Sequence, residues 1–130
     1  ARTGHRFTGL YRFDGDMLRN VALFDREDPT ARVGADAPLG ETYCAIVGAT
    51  ERPFATDDAG RDPRTAAHPA REAVVSYCGA LVRSAEGRPV GTLCSFDVET
   101  RPVPTHEIPL LEAVAPLLAP AVAAHAARRG

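Results

Sequence analysis

Lysine and tryptophan are absent from the 130 residues, aromatic side chains make up only 6%, and there are three cysteines and one methionine. Arginine is the only strong base, so 15 basic groups face 17 acidic ones and the formal net charge is -2. No basic field is available to neutralise phosphates or an anionic membrane surface, which argues against nucleic acid and lipid as partners. The bias from lysine to arginine itself reads as GC-rich coding. Cys44, Cys78 and Cys94 contain no CxxC pair and are too few for a secreted disulfide scaffold, which points to reducing cytosol. Apolar runs such as Leu117 to Ala127 are interrupted by proline, and none is expected to reach the ~20 residues of a membrane span. A soluble, cytoplasmic module is expected. The start, Ala1-Arg2-Thr3-Gly4, carries neither an initiating Met nor an apolar leader, and is read as an excised piece of a longer chain.

The sequence does have a 45% apolar fraction over a length typical of one domain, enough to build a core without disulfides or metal. Residues 1–130 are read as one domain with its core over about 7–118. Apolar residues on both sides of Asp14-Gly15-Asp16 predict a hairpin over Phe7 to Phe24, because glycine tolerates the positive φ of a tight turn. Arg26 to Gly40 has no period and is expected to be a loop. A short helix is expected over Glu41 to Gly48, a short strand over Arg52 to Thr56, and one helical turn at Arg71 to Val74. Val75 to Arg83 and Val90 to Val98 form a second predicted hairpin, with Gly87 in the left-handed conformation of a three-residue turn. Thr105 is a plausible N-cap for a closing helix over about 105–127, in which Ile108, Leu111, Val114, Leu118 and Val122 recur at helical spacing. Pro116 and Pro120 are expected to kink or stop it beyond Leu118. This order gives an α+β fold on a central antiparallel sheet.

Several segments resemble the GAF domains, relatives of PAS domains that serve as sensory modules in bacterial signalling proteins. Pro38-Leu39-Gly40-Glu41-Thr42-Tyr43-Cys44 is similar to the family's entry into its second helix, and Pro53 to Ala59 to its strand followed by Asp-Ala. Asp62-Pro63-Arg64 with His68-Pro69 resembles the loop beyond. The most specific match is the hairpin of Ser76 to Leu81, Gly87 and Val90-Gly91-Thr92-Leu93-Cys94-Ser95-Phe96-Asp97. The resemblance spans about residues 7–118, with three departures: no proline near Ala80-Leu81-Val82, His68 in place of the commoner Asn, and almost nothing before the first strand. It implies a central antiparallel sheet of about six strands with flanking helices and a small-molecule pocket roofed by loops, here the 57–69 segment. It also implies a homodimer through terminal helices and an output domain that this chain does not include.

On that basis the ligand-binding candidates are Tyr43, Cys44, Phe54, Asp57, Asp58, Arg64, His68, Tyr77, Cys78 and Cys94. Arg64 has the fork to hold a carboxylate or phosphate, or else pairs with a neighbouring Asp of its own loop. His68 is placed to donate to an anionic ligand or to bind haem axially; the competing reading is a solvated loop histidine, and haem is disfavoured. His5, His106 and His125 are expected at the surface, and no histidine pair has the spacing of two metal ligands on one helix face, so no metal is expected. A three-residue turn at 85–87 sets Cys78 opposite Cys94, as a redox pair or as two small reduced residues; a two-residue turn would put them on opposite faces. The function expected is ligand sensing without catalysis. The alternatives are a thiol-based redox sensor or GAF-fold methionine sulfoxide reductase using Cys44, Cys78 and Cys94, and a ligand-free dimerisation module.

Overall fold

The computed structural model describes residues 5–28, 30 and 34–129. Its centre is a six-stranded antiparallel sheet of β1 (Phe7–Asp14), β2 (Met17–Asp25), β3 (Ala37–Pro38), β4 (Phe54–Thr56), β5 (Ser76–Arg83) and β6 (Pro89–Asp97), in the order β3-β2-β1-β6-β5-β4. Helix α1 (Cys44–Thr50) lies on one side with short 3-10 turns, and α2 (Glu107–Arg129) covers the other. The architecture is the α+β plan expected from the sequence.

Both hairpins form where the apolar alternation and turn residues place them. Gly15, at φ 61°, holds the first central position of the two-residue turn between β1 and β2, where a type II′ turn takes glycine. Gly87, at φ 84°, closes the second. The segment expected as loop contributes β3, whose Ala37 and Pro38 pair with Leu18 and Met17, while Pro29 and residues 31–33 lie outside the described structure.

The register of the second hairpin differs from the three-residue expectation. An irregularity between Val82 and Arg83 slips the ladder by one residue, so Cys78 stands opposite Ser95 and Cys94 opposite Gly79. Because side chains alternate between faces, this slip sends Cys78 toward α2 and Cys94 to the other face, and all three cysteines are free thiols. The facing of Cys78 and Cys94 expected from a three-residue turn does not occur, and the two thiols lie on opposite faces, the arrangement expected from a two-residue turn.

Helix α2 begins at Glu107, two residues after Thr105, and runs unbroken through Pro116 and Pro120 to Arg129. Each proline forgoes one backbone hydrogen bond, and the burial of Val122 and His125 beyond them offsets that loss. By length and composition the stretch Glu107–Arg128 would pass for a membrane span, contrary to the expectation from its prolines. In the fold its stripe of Leu111, Ala115 and Val122 is buried on the sheet. Two histidines expected at the surface are also inside. His5 is fully buried, with Nδ1 3.1 Å from Ser95 Oγ, and His125 Nδ1 accepts from Arg12 Nε at 3.1 Å. Asp97 ties the start of β1 to the end of β6, accepting from the Arg6 amide at 3.0 Å and Arg101 Nε at 3.2 Å.

A buried thiol and phenol pocket as candidate functional site

The face of the sheet away from α2 presents Tyr11, Leu18, Tyr77, Cys94 and Phe96, and above it lie β3, the 3-10 turn at Leu39–Glu41, the start of α1, and Ala70 with Val74. Between them is a cavity of about 160 Å³, lined further by Glu41, Thr42, Tyr43 and Cys44. Two glycines make room for its floor. A Cβ on Gly79 would meet Tyr77 Oη at 2.2 Å, and one on Gly9 would meet Tyr11 Cε2 at 2.4 Å, so each ring lies folded along its own strand over a residue without a side chain.

Cys44, at the start of α1 in the cover, points to the floor and gathers its polar groups. Thr92 Oγ1 donates to its sulfur at 3.1 Å, Tyr77 Oη is 3.3 Å away, and Cys94 lines the same cavity from β6. Polar groups converging on one sulfur favour its thiolate: the neighbouring Cys94 thiol first, with Thr92 and Tyr77 adding, holds Cys44 below the ordinary thiol range against the opposing effect of burial. The neighbouring Cys44 and burial push Cys94 well above that range, and its thiol donates to the Gly9 carbonyl at 3.8 Å. Burial also raises Tyr77 and Tyr11, so both phenols keep their protons. The result is a mostly apolar chamber lined by two thiols and the hydroxyls of Tyr11 and Tyr77 among its polar groups.

Of the residues expected to bind a ligand, Tyr43, Cys44, Tyr77 and Cys94 line this cavity. Phe54 and His68 stand behind it: their rings pack on Tyr43 at centroid distances of 6.0 Å and 4.7 Å. His68 Nδ1 accepts from the Ala70 amide at 3.0 Å, so the histidine caps the turn at Pro69–Arg71. Cys78 faces α2 and is raised to about 12 by burial, with Glu107 adding to it. Asp57, Asp58 and Arg64 lie away from the cavity. Arg64 grips Asp62 with both ends of its fork, at 3.0 and 2.6 Å, donates to the Ala55 carbonyl and stacks on Phe54. Asp57 accepts from the Val103 amide at 2.8 Å, and Asp58 from the Gly60 amide at 3.1 Å. The 57–69 segment therefore braces its own turns, and the roof is formed by residues 35–44 with Ala70 and Val74. Tyr11 and Thr92 were not singled out in the sequence; their signal was the spacing of two from Gly9 and from Cys94.

A larger open groove of about 700 Å³ lies between α2 and the ends of β1 and β6, lined by Phe13, Val90, Pro116, Ala119 and Val122 among others. It gathers no thiol or phenol, and the smaller chamber is the better candidate because its reactive groups converge. Among the described residues no group of three or more His, Cys, Asp or Glu is placed to hold a metal ion.

Solved structures share this architecture. The GAF domain of a phosphoenolpyruvate-protein phosphotransferase from Acinetobacter superposes with a TM-score of 0.71 at 17% identity, covering 97% of this chain and 76% of the other. The GAF domain of a two-component sensor histidine kinase from Bacillus halodurans gives 0.64 at 11% identity, with 97% and 86% covered. A free methionine-R-sulfoxide reductase from Neisseria meningitidis gives 0.69 at 21% identity, with 93% and 69% covered. No family model and no curated protein sequence matches the chain. At these identities the likeness establishes the fold: this is a GAF-fold domain, and its structural neighbours include both regulatory domains and reductases.

Proposed function

We propose that the chain is a small-molecule-sensing regulatory module of a bacterial, cytoplasmic signalling protein, with its ligand in the chamber between α1 and the sheet. The observation that carries this reading is the chamber of about 160 Å³ between a cover of short segments and a rigid floor. That volume is below the roughly 300–1,000 Å³ of sites for drug-sized molecules, and close to the ~150 Å³ that takes a benzene-sized guest. The expected ligand is therefore a compact molecule with one or two polar groups, well short of a cyclic nucleotide, bilin or haem. Contacts to Glu41, Thr42 and Tyr43 above and to Tyr77 and Phe96 below would bias the cover as far as affinity differs between its arrangements. The sheet would pass that bias to α2, whose Leu117 is 75% exposed and offers a contact for a second copy.

Native mass spectrometry of the protein as purified, repeated after denaturation, tests this. A bound small molecule lost on denaturation is expected; an empty protein that captures nothing from a library of small acids and amines would overturn it. The reductase alternative would have to run on Cys44 and Cys94, since Cys78 lies on the other side of the sheet. Turnover of free methionine-R-sulfoxide with a dithiol reductant would establish that alternative in place of sensing.

A further inference from the structure

Cys44 on the cover and Cys94 on the sheet line the same chamber, and Thr92, two residues from Cys94 on the same face of β6, reaches Cys44 Sγ at 3.1 Å. Both thiols are buried, so the chamber they line is the route by which a small oxidant would reach them. Their surroundings are unequal. Cys44 Sγ receives the Thr92 hydroxyl at 3.1 Å and meets Tyr77 Oη at 3.3 Å, groups that stabilise a sulfur carrying charge. Cys94 Sγ lies toward the Gly9 carbonyl at 3.8 Å, an acceptor that keeps a proton on sulfur. Cys44 also opens a seven-residue helix, whereas Cys94 sits within a central strand. The movement that brings two sulfurs to the ~2.05 Å of a disulfide therefore falls on the cover.

We propose that Cys44 and Cys94 form a hydroperoxide-reactive pair, with Cys44 as the nucleophile and Cys94 as the resolving thiol. In the first step Cys44 Sγ, having lost its proton, attacks the nearer peroxide oxygen. The S–O bond forms, the O–O bond breaks, and the departing oxygen takes up that proton to leave as water or an alcohol. In the second step Cys94 Sγ attacks Cys44 Sγ. The S–S bond forms, the S–O bond breaks, and hydroxide leaves with the Cys94 proton as a second water. Two thiols are oxidised by two electrons and the peroxide is reduced by two; an external dithiol reverses the change. The chamber's size selects hydrogen peroxide or a short alkyl hydroperoxide over bulky disulfide oxidants. The new bond would tie the first turn of α1 to β6 and close the ligand chamber, so oxidation and ligand binding compete.

The test is intact mass and non-reducing peptide mapping of the whole chain after a few equivalents of hydrogen peroxide. The expected product is lighter by two hydrogens, links the peptides that hold Cys44 and Cys94, leaves Cys78 free and reverts with dithiothreitol. C94S is expected to stop at a sulfenic acid on Cys44 that dimedone traps, and C44S to leave Cys94 reduced. Tyr77→Phe, which needs only a folded circular dichroism spectrum to be interpretable, is expected to slow the link by about threefold to tenfold through a smaller thiolate fraction. Three free thiols after peroxide, a link that involves Cys78, or oxidation only in denaturant would each overturn the proposal. The ligand reading fails separately, in the native mass spectrum of the fully reduced protein.

Discussion

Toward α2 the sheet presents Leu10, Cys78, Ala80, Val82 and Leu93, aliphatic or small groups that close against Leu111, Ala115 and Val122. Toward α1 it presents Tyr11, Tyr77, Cys94 and Phe96, and the cover above them leaves a chamber. Branched aliphatic chains interdigitate to near-crystalline density, while rings laid flat over Gly9 and Gly79 leave space beside them and bring hydroxyls into it. The two faces differ in kind: one is closed by aliphatic packing, and the other gathers thiols and phenols around a cavity. Substitutions on the two faces should therefore differ in what they change.

The largest effect is expected from Leu111→Ala, which leaves a void on the closed face. It should lower unfolding free energy by about 2–5 kcal/mol in denaturant titration without changing Cys44 labelling in the native state. A loss under about 1 kcal/mol would break the division. Gly79→Ala acts on the open face: its Cβ forces Tyr77 Oη off the thiols, for about 1–3 kcal/mol and a slower alkylation of Cys44. Unchanged alkylation would mean that Tyr77 does not assist that sulfur.

The thiols sharpen the contrast by pH. At neutral pH iodoacetamide should label Cys44 well before Cys78, read by peptide mass. Cys78 holds its proton up to about 12 in the folded chain, against an ordinary value of 9. A raised folded value favours the native state fully below the unfolded pKa, and that contribution fades as pH rises from about 9 toward 12. Cys78→Val should flatten the alkaline limb of the stability curve in that window, and an unaltered limb would remove Cys78 as its source. Thr92→Val, nearly isosteric, should cost about 1 kcal/mol and slow Cys44 alkylation by the loss of its donor. Smallest is Arg64→Ala. Its pairing with Asp62 is bidentate, but the arginine is 57% exposed, so solvent screening holds the expected loss under about 1 kcal/mol with ligand binding unaffected. A loss of ligand affinity would return Arg64 to the site.

Much of this was legible in the residues, and unevenly. Asp14-Gly15-Asp16 and Gly87 mark turns because only a few residues accept positive φ, and both turns form there. Tyr43, Cys44, Tyr77 and Cys94, taken from motif resemblance, do meet at one chamber. Arg64 looked like a ligand group by its type and His68 by its place in a loop expected to roof the pocket. Their nearest partners, Asp62 and Ala70, are two residues away, and local hydrogen bonds meet their polar needs before any ligand arrives. Proline in α2 was a local signal overridden by tertiary burial of Val122 and His125.

The sequence by itself determined what depends on near neighbours: the two hairpins, the amphipathic closing helix, the α+β order and the motif string that points to the GAF fold. The tertiary structure alone decided the face on which each thiol sits. One irregularity between Val82 and Arg83 shifts the ladder by a residue, and with a side-chain period of two that shift exchanges faces for Cys78 along the whole strand. It also decided the roof of the chamber, because a cavity is the space left between segments far apart in the chain, and its walls are set only when residues 35–44 settle on β1, β5 and β6.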